Sequence, residues 1–234
     1  VVVVFVSDLF LLLLLLLFFF LGYFFFFSDF CTWFGVKCVY TNHNITTHLA
    51  LPSNNLVGNL PSTLGDLADL KELDLSGNAL TGVIPLSLST ITTLVDINLS
   101  GNKLTGPLPA YVYNQKVNVT YPVGTTLRSL DLSYNELTGD IPETWFGPLK
   151  TGPFSPPNNL QVINLRYNQL TGGIPSSIAS AFKLDTLLLS YNKMSGNITD
   201  SLLDSWLGTR KYCDLSGNDW GFVPSGVAKT CNLS

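Results

Sequence analysis

A chain of 234 residues is long enough for one or two globular domains or for one elongated repeat domain. Its formal charge of −4 and sequence pI near 5.0 exclude the basic footprint of a nucleic-acid-binding protein. Charged residues are only 12% of the chain, so uncharged polar groups, or sugars attached to them, must cover much of the surface.

The chain opens on an apolar segment. After Asp8 an uncharged run extends from Leu9 to Phe27. As a helix it would reach roughly 28 Å at about 1.5 Å per residue, close to a bilayer core. A secretory signal peptide is the ordinary reading of such a run, although this one has neither an initiating Met nor a basic start. A retained membrane anchor and an apolar arm packed on another subunit are the alternatives.

The cysteines come next. Cys31 and Cys38 stand near one end of the chain, and Cys213 and Cys231 near the other. Four cysteines permit three connectivities, of which pairing between near neighbours is the simplest. Free or metal-binding thiols are the alternative, but His43 and His48 are the only imidazoles that could join them, and no metal site is expected. Asn-x-Ser/Thr acceptors occur at Asn44, Asn98, Asn118, Asn197 and Asn232. Together with paired cysteines they point to the secretory route, where glycosylation and oxidation both occur.

From residue 45 the chain is periodic. The phrase Leu70-x-x-Leu73-x-Leu75-x-x-Asn78-x-Leu80-x-Gly82-x-Ile84-Pro85 returns around Asn102, Asn135, Asn168 and Asn192, and in degenerate form around Asn54 and Asn218. The alternating Leu-x-Leu predicts a short strand with one buried face. The turn Asn is placed to satisfy backbone groups of adjacent coils, where an unpaired buried amide would cost about 1–3 kcal/mol. Gly and Pro shape the return. The intervals 110–126 and 143–159 carry extra residues, so either two loops bulge on one side as candidate contact surfaces, or the convex return is slightly longer there and carries its own small apolar cluster.

This phrase resembles the plant-type leucine-rich repeat, and the match runs from about Ile45 to Pro224. The resemblance implies an α/β repeat solenoid, a right-handed superhelix with a parallel concave β-sheet and disulfide-closed caps. On that reading residues 1–30 are the apolar N-terminal segment, in the place of a capping helix pair. Residues 31–44 form an N-terminal cysteine cap with Trp33 as plug, 45–212 the repeats, and 213–234 a C-terminal cysteine cap. The family includes receptor ectodomains, secreted inhibitors and wall-associated proteins, and the resemblance does not choose among them.

Registering the repeats gives a map of candidate contacts. Tyr134, Tyr167 and Tyr191 share the place before the turn Asn, where other repeats carry Gly77, Gly101 and Gly217. A column of three phenols suits stacking on a sugar or a peptide. Three places earlier, Asp74, Asn98, Asp131, Asn164, Leu188 and Asp214 form a second column. Asp74 and Asp131 are two strands apart and lack a third catalytic group, so they read as surface residues rather than a glycosidase pair. Arg128 and Arg166 could clamp a carboxylate, and Trp145 in the second long interval is a further contact candidate. A glycan on Asn98 would shift binding towards the C-terminal repeats.

No phosphate loop, zinc-protease helix, dinucleotide fingerprint or nucleophile elbow occurs, so no catalytic residue or cofactor is expected. The expected function is a non-enzymatic extracellular recognition module, secreted or at the cell surface, for a protein, peptide or glycan. The alternative is a structural glycoprotein that assembles into a fibril through the apolar N-terminal segment. A further domain beyond Ser234 is compatible with the sequence.

Overall fold

The structure is a computed structural model that describes residues 36–40, 44–109, 113–114, 119–120, 126–146, 159–181, 183–198 and 212–234. The readings of residues 1–27, Trp33 and Asn118, and the pairing of Cys31 with Cys38, fall outside the described residues. Among the described residues no helix is long and apolar enough to cross a membrane.

Each Leu-x-Leu becomes a three-residue strand, and the strands stack in parallel. Glu72–Asp74, Asp96–Asn98, Ser129–Asp131, Val162–Asn164, Thr186–Leu188 and Tyr212–Asp214 are successive neighbours in a nine-stranded sheet. Their central residues form one buried row, Leu73, Ile97, Leu130, Ile163, Leu187 and Cys213, none more than 6% exposed. Register is fixed because a slip of one residue would turn this row outward. The sheet opens with an antiparallel pair, Val36–Tyr40 against Asn44–Ala50. It ends on Cys231–Asn232 beside Tyr212–Asp214, with Cys213 disulfide-bonded to Cys231 across a Cα separation of 4.7 Å.

The turn asparagines tie consecutive coils together. Asn102 donates through Nδ2 to the carbonyls of Leu75 and Leu99, and its Oδ1 accepts from the N–H of Leu80. Asn135, Asn168, Asn192 and Asn218 repeat the pattern, each donating to the Leu carbonyl three residues before it in its own coil and to the matching Leu carbonyl of the coil before. The extra residues of the long intervals leave this ladder in phase: Asp131 pairs with Asn98 on one side and Asn164 on the other.

The return segments carry structure that the Leu pattern alone does not announce. Val57–Asn59, Ala79–Val83, Lys103–Pro107, Glu136–Gly139 and Gln169–Leu170 form a second, five-stranded parallel sheet. Val57–Asn59, Ala79–Val83, Glu136–Gly139 and Gln169–Leu170 each lead to a Pro and a short helical turn, as does Asp219–Trp220 near the C-terminus. The residue three places after that Pro faces the core: Leu64, Leu88, Trp145, Ile178 and Val227, all 5% exposed or less. Ser62–Asp66, Leu86–Thr90, Glu143–Phe146 and Ser176–Ser180 are 3-10 turns, whereas Ser225–Thr230 is an α-helix.

Trp145 is therefore a correction. It does not sit on a protruding loop for a partner to touch; it occupies the core place that Leu88 and Ile178 hold in their coils. It is 5% exposed, and its indole Nε1 donates to the carbonyl of Pro109 at 2.8 Å. Ile97, Leu130, Leu132 and Trp145 help to line an apolar hollow of about 30 Å³, too small for a ligand. The first long interval contains an antiparallel pair, Tyr113–Asn114 with Val119–Thr120.

Candidate ligand-binding face

The outward positions of the nine-stranded sheet form columns because the strands are in register. In the first column His48, Glu72 and Asp96 stand at one end and Val162, Thr186 and Tyr212 at the other. This column thus passes from ionisable to uncharged side chains along the stack. His48 Nε2 lies 3.6 Å from Glu72 Oε2. Asp96 stands opposite Glu72, and its carboxyl is raised above its ordinary value by partial burial and then by the Glu72 charge, with Arg128 opposing. Tyr212 is 56% exposed, and the column map of the sequence did not include it.

The second column closes turns. Asp74 Oδ1 accepts from the N–H and hydroxyl of Ser76 at 3.0 and 2.7 Å. Asn98 holds Ser100 in the same way, Asp131 holds Ser133, and Asp214 holds Ser216. Two repeats differ: Asn164 Oδ1 accepts from Arg166 Nε at 3.2 Å and its amide donates to Asp131 Oδ2 at 2.8 Å, while Leu188 has no polar side-chain atom to close its turn. The column is a row of side-chain-capped turns, which is why a short polar residue recurs in it. Burial pushes the Asp214 carboxyl up, but the Ser216 and Ser190 hydroxyls, the Ser216 N–H and the Arg166 charge together hold it below its ordinary value.

The tyrosines form the most unusual feature. Tyr134, Tyr167 and Tyr191 have φ of 55°, 54° and 57°, in the left-handed region that Gly77, Gly101 and Gly217 occupy at 64°. A left-handed backbone costs a non-Gly residue on the order of 1–3 kcal/mol. The conformation is imposed by neighbouring coils: Tyr134 N–H donates to Arg166 O at 2.9 Å and Tyr167 N–H to Ser190 O at 3.0 Å. The rings stack on one another, with centroids 4.4 and 4.5 Å apart and planes within 12° and 11°. Two such contacts return about 0.5–1.5 kcal/mol each, which does not exceed the strain of three residues. The ladder therefore does little for stability that glycines would not do.

Stacking limits what the column offers to a ligand. The inner faces are covered by neighbouring rings, so a ligand meets edges, hydroxyls and the outer face of an end ring. Partial desolvation, then the neighbouring Tyr191 and Tyr134 phenols, push the Tyr167 hydroxyl above its ordinary value. Arg166 stands beside Tyr167 and bonds Asn164, while Arg128 precedes the Ser129–Asp131 strand, exposed and apart from the ladder's turn. Of the glycan acceptors, Asn197 and Asn232 are exposed, Asn98 is half-buried on the sheet face, and the side chain of Asn44 lies outside the described residues. Among the described residues no group of three or more His, Cys, Asp or Glu could hold a metal ion.

Comparison with known proteins agrees with this geometry. Leucine rich repeat family models match residues 46–104, and 126–147 with 159–181. The Arabidopsis receptor kinase HAESA, in complex with the peptide hormone IDA and the co-receptor SERK1, is 28% identical with a TM-score of 0.62. That match covers 79% of this chain and 28% of the other. The plant peptide hormone receptor RGFR1, in complex with RGF2, is 30% identical with a TM-score of 0.60, covering 80% and 27%. A chain of the BIR3–SERK2 complex from Arabidopsis thaliana is 30% identical with a TM-score of 0.50, covering 84% and 81%. This chain spans little more than a quarter of the length of the first two receptors.

Proposed function

Because the chain belongs to the plant-type leucine-rich-repeat family, we propose that it is a non-enzymatic extracellular recognition module that binds a peptide along the outward face of its nine-stranded sheet. One observation carries this reading: the outward side chains form continuous columns, one of which passes from the carboxylates Glu72 and Asp96 to the exposed ring of Tyr212. An extended peptide can lie across such columns and match their change of character residue by residue. The HAESA and RGFR1 structures are complexes with peptide ligands, which supports a peptide over a glycan. Glycans on Asn44, Asn118, Asn197 and Asn232 and a second disulfide, Cys31–Cys38, belong to the same extracellular reading, with Asn98, half-buried and bonded to Ser100 through Oδ1, left bare.

The test is selection of a displayed random-peptide library against the intact chain. Enriched peptides should compete with one another for one site. Tyr212→Ala, which removes an exposed ring, should weaken them about tenfold, as truncation of an aromatic anchor does. Asp96→Lys should weaken those that carry positive charge, and Val83→Ser, in the second sheet, should leave affinity unchanged. Binders indifferent to both face substitutions, or no enrichment above background, overturn the reading.

A further inference from the structure

The tyrosine ladder is closed at one end and open at the other. At the C-terminal end a side chain on Gly217 would begin 2.8 Å from Tyr191 Cδ1, so backbone already abuts that ring. At the N-terminal end Tyr134 has one face against Tyr167, and the next place in the column is Gly101, followed by Gly77. Both glycines share the left-handed backbone of the tyrosines but offer no ring. Tyr134 is 53% exposed, and the floor beside its outer face carries no side chain.

Charge is distributed unevenly around that opening. Asp74 is held against Ser76, the residue before Gly77, through Oδ1 alone; its Oδ2 has no partner among the described residues. Asp131 is held against Ser133, the residue before Tyr134. The fixed cation of the ladder, Arg166, stands further on, beside Tyr167. An anionic group is therefore repelled at the open end and a cationic one attracted.

We propose that the open end of the ladder is an arginine-binding site: the guanidinium of a peptide partner's arginine stacks on the outer face of Tyr134, over Gly101, and pairs with Asp74. A planar cation satisfies both features at once, since it stacks on a ring by its face and binds a carboxylate by its edge. A neutral ring could stack, but it would desolvate Asp74 without compensation. The site names one specificity determinant of the peptide-binding reading above and rests on it.

The experiment uses the intact chain secreted into a bacterial periplasm, where disulfides form and no N-glycan is added to Asn98. The probe is the tripeptide acetyl-Gly-Arg-Gly-amide, compared with its citrulline counterpart, which keeps the planar shape and lacks the charge. Binding is read from the ring resonances of Tyr134, assigned with Tyr134→Phe. The arginine peptide should shift them saturably, and citrulline should bind about fivefold more weakly, in the range of an exposed cation–π contact. Tyr134→Gly, which copies Gly101 and whose affinity is read by equilibrium dialysis of the peptide, should lose the same factor, and Tyr134→Phe should retain binding.

Asp74→Asn should lose about threefold, the scale of an exposed ion pair; Asn98 already holds its serine as an amide, so this variant keeps the turn. Equal binding of citrulline, or no saturable shift, overturns the site. If library-selected peptides bind the sheet face while the arginine peptide neither shifts Tyr134 nor competes, the arginine site fails and peptide recognition stands. Arginine bound at Tyr134 with an empty selection keeps the arginine site and overturns peptide binding along the sheet face.

Discussion

At the scale of single residues, strain and stacking act on the same three side chains and can be separated by substitution. Tyr167 is held at a φ of 54° with a ring on each side. Tyr167→Gly removes the strain and both ring contacts, and adds the entropy of a glycine in the unfolded chain. These terms oppose one another, so unfolding in urea should show a change within about 1 kcal/mol. Tyr167→Val should cost more than the glycine variant, although it keeps more apolar surface, because a β-branched residue is a severe outlier in left-handed backbone. A glycine variant destabilised by several kcal/mol would show that the ladder holds the fold together. The column was legible in the sequence from the spacing of the turn asparagines, but its backbone was not. The signal was nevertheless present: Gly77, Gly101 and Gly217 at the equivalent places mark a left-handed position.

At the scale of elements, each return turn depends on its neighbour. Glu143, at the start of one 3-10 turn, accepts the N–H of Ser176 through Oε1 and of Ser177 through Oε2, both at 2.9 Å, and so caps the turn of the next coil. Partial burial raises its carboxyl, but the N–H groups of Ser177 and Ser176 outweigh this and hold it below its ordinary value. A depressed folded value means that the stabilisation is present above the unfolded value of about 4.3 and is lost as pH falls through the folded one. Glu143→Gln should therefore cost about 0.5 kcal/mol near neutral pH, a small figure because the group is exposed, and nothing in strong acid. A pH-independent difference would refute this cap. The sheet strands follow directly from Leu-x-Leu alternation, as Leu73, Ile97 and Leu130 show. The second sheet was illegible because Ala79–Val83 and Lys103–Pro107 pair through backbone and carry Gly82 and Gly106 at positive φ, which reads as turn. Trp145 was misplaced for a different reason: counting from the turn Asn put it in an insertion, whereas counting three from Pro142 puts it in the core.

At the scale of the whole molecule, stability in a stacked array is a sum of coils and the contacts between neighbours, so the ends open before the middle. The C-terminal end is a shortened coil: Pro224 leads into the Ser225–Thr230 helix, Val227 fills the core place, and Cys231–Asn232 adds the last strand. That strand is short, and among the described residues it pairs with Tyr212–Asp214 alone. The Cys213–Cys231 bond closes a sequence separation of 18 residues, and a loop of that size limits the unfolded chain by about 3 kcal/mol. Cys213→Ala with Cys231→Ala should therefore act locally. Amide exchange should accelerate on the order of a hundredfold in Tyr212–Asp214, the strand that bears Tyr212, while Ser129–Asp131 in the middle of the sheet keeps its protection. Uniform loss across both strands would mean that the array unfolds as one unit. Local loss would mean that the disulfide keeps the uncharged end of the proposed peptide face in register, which couples the cap to recognition through the strand they share.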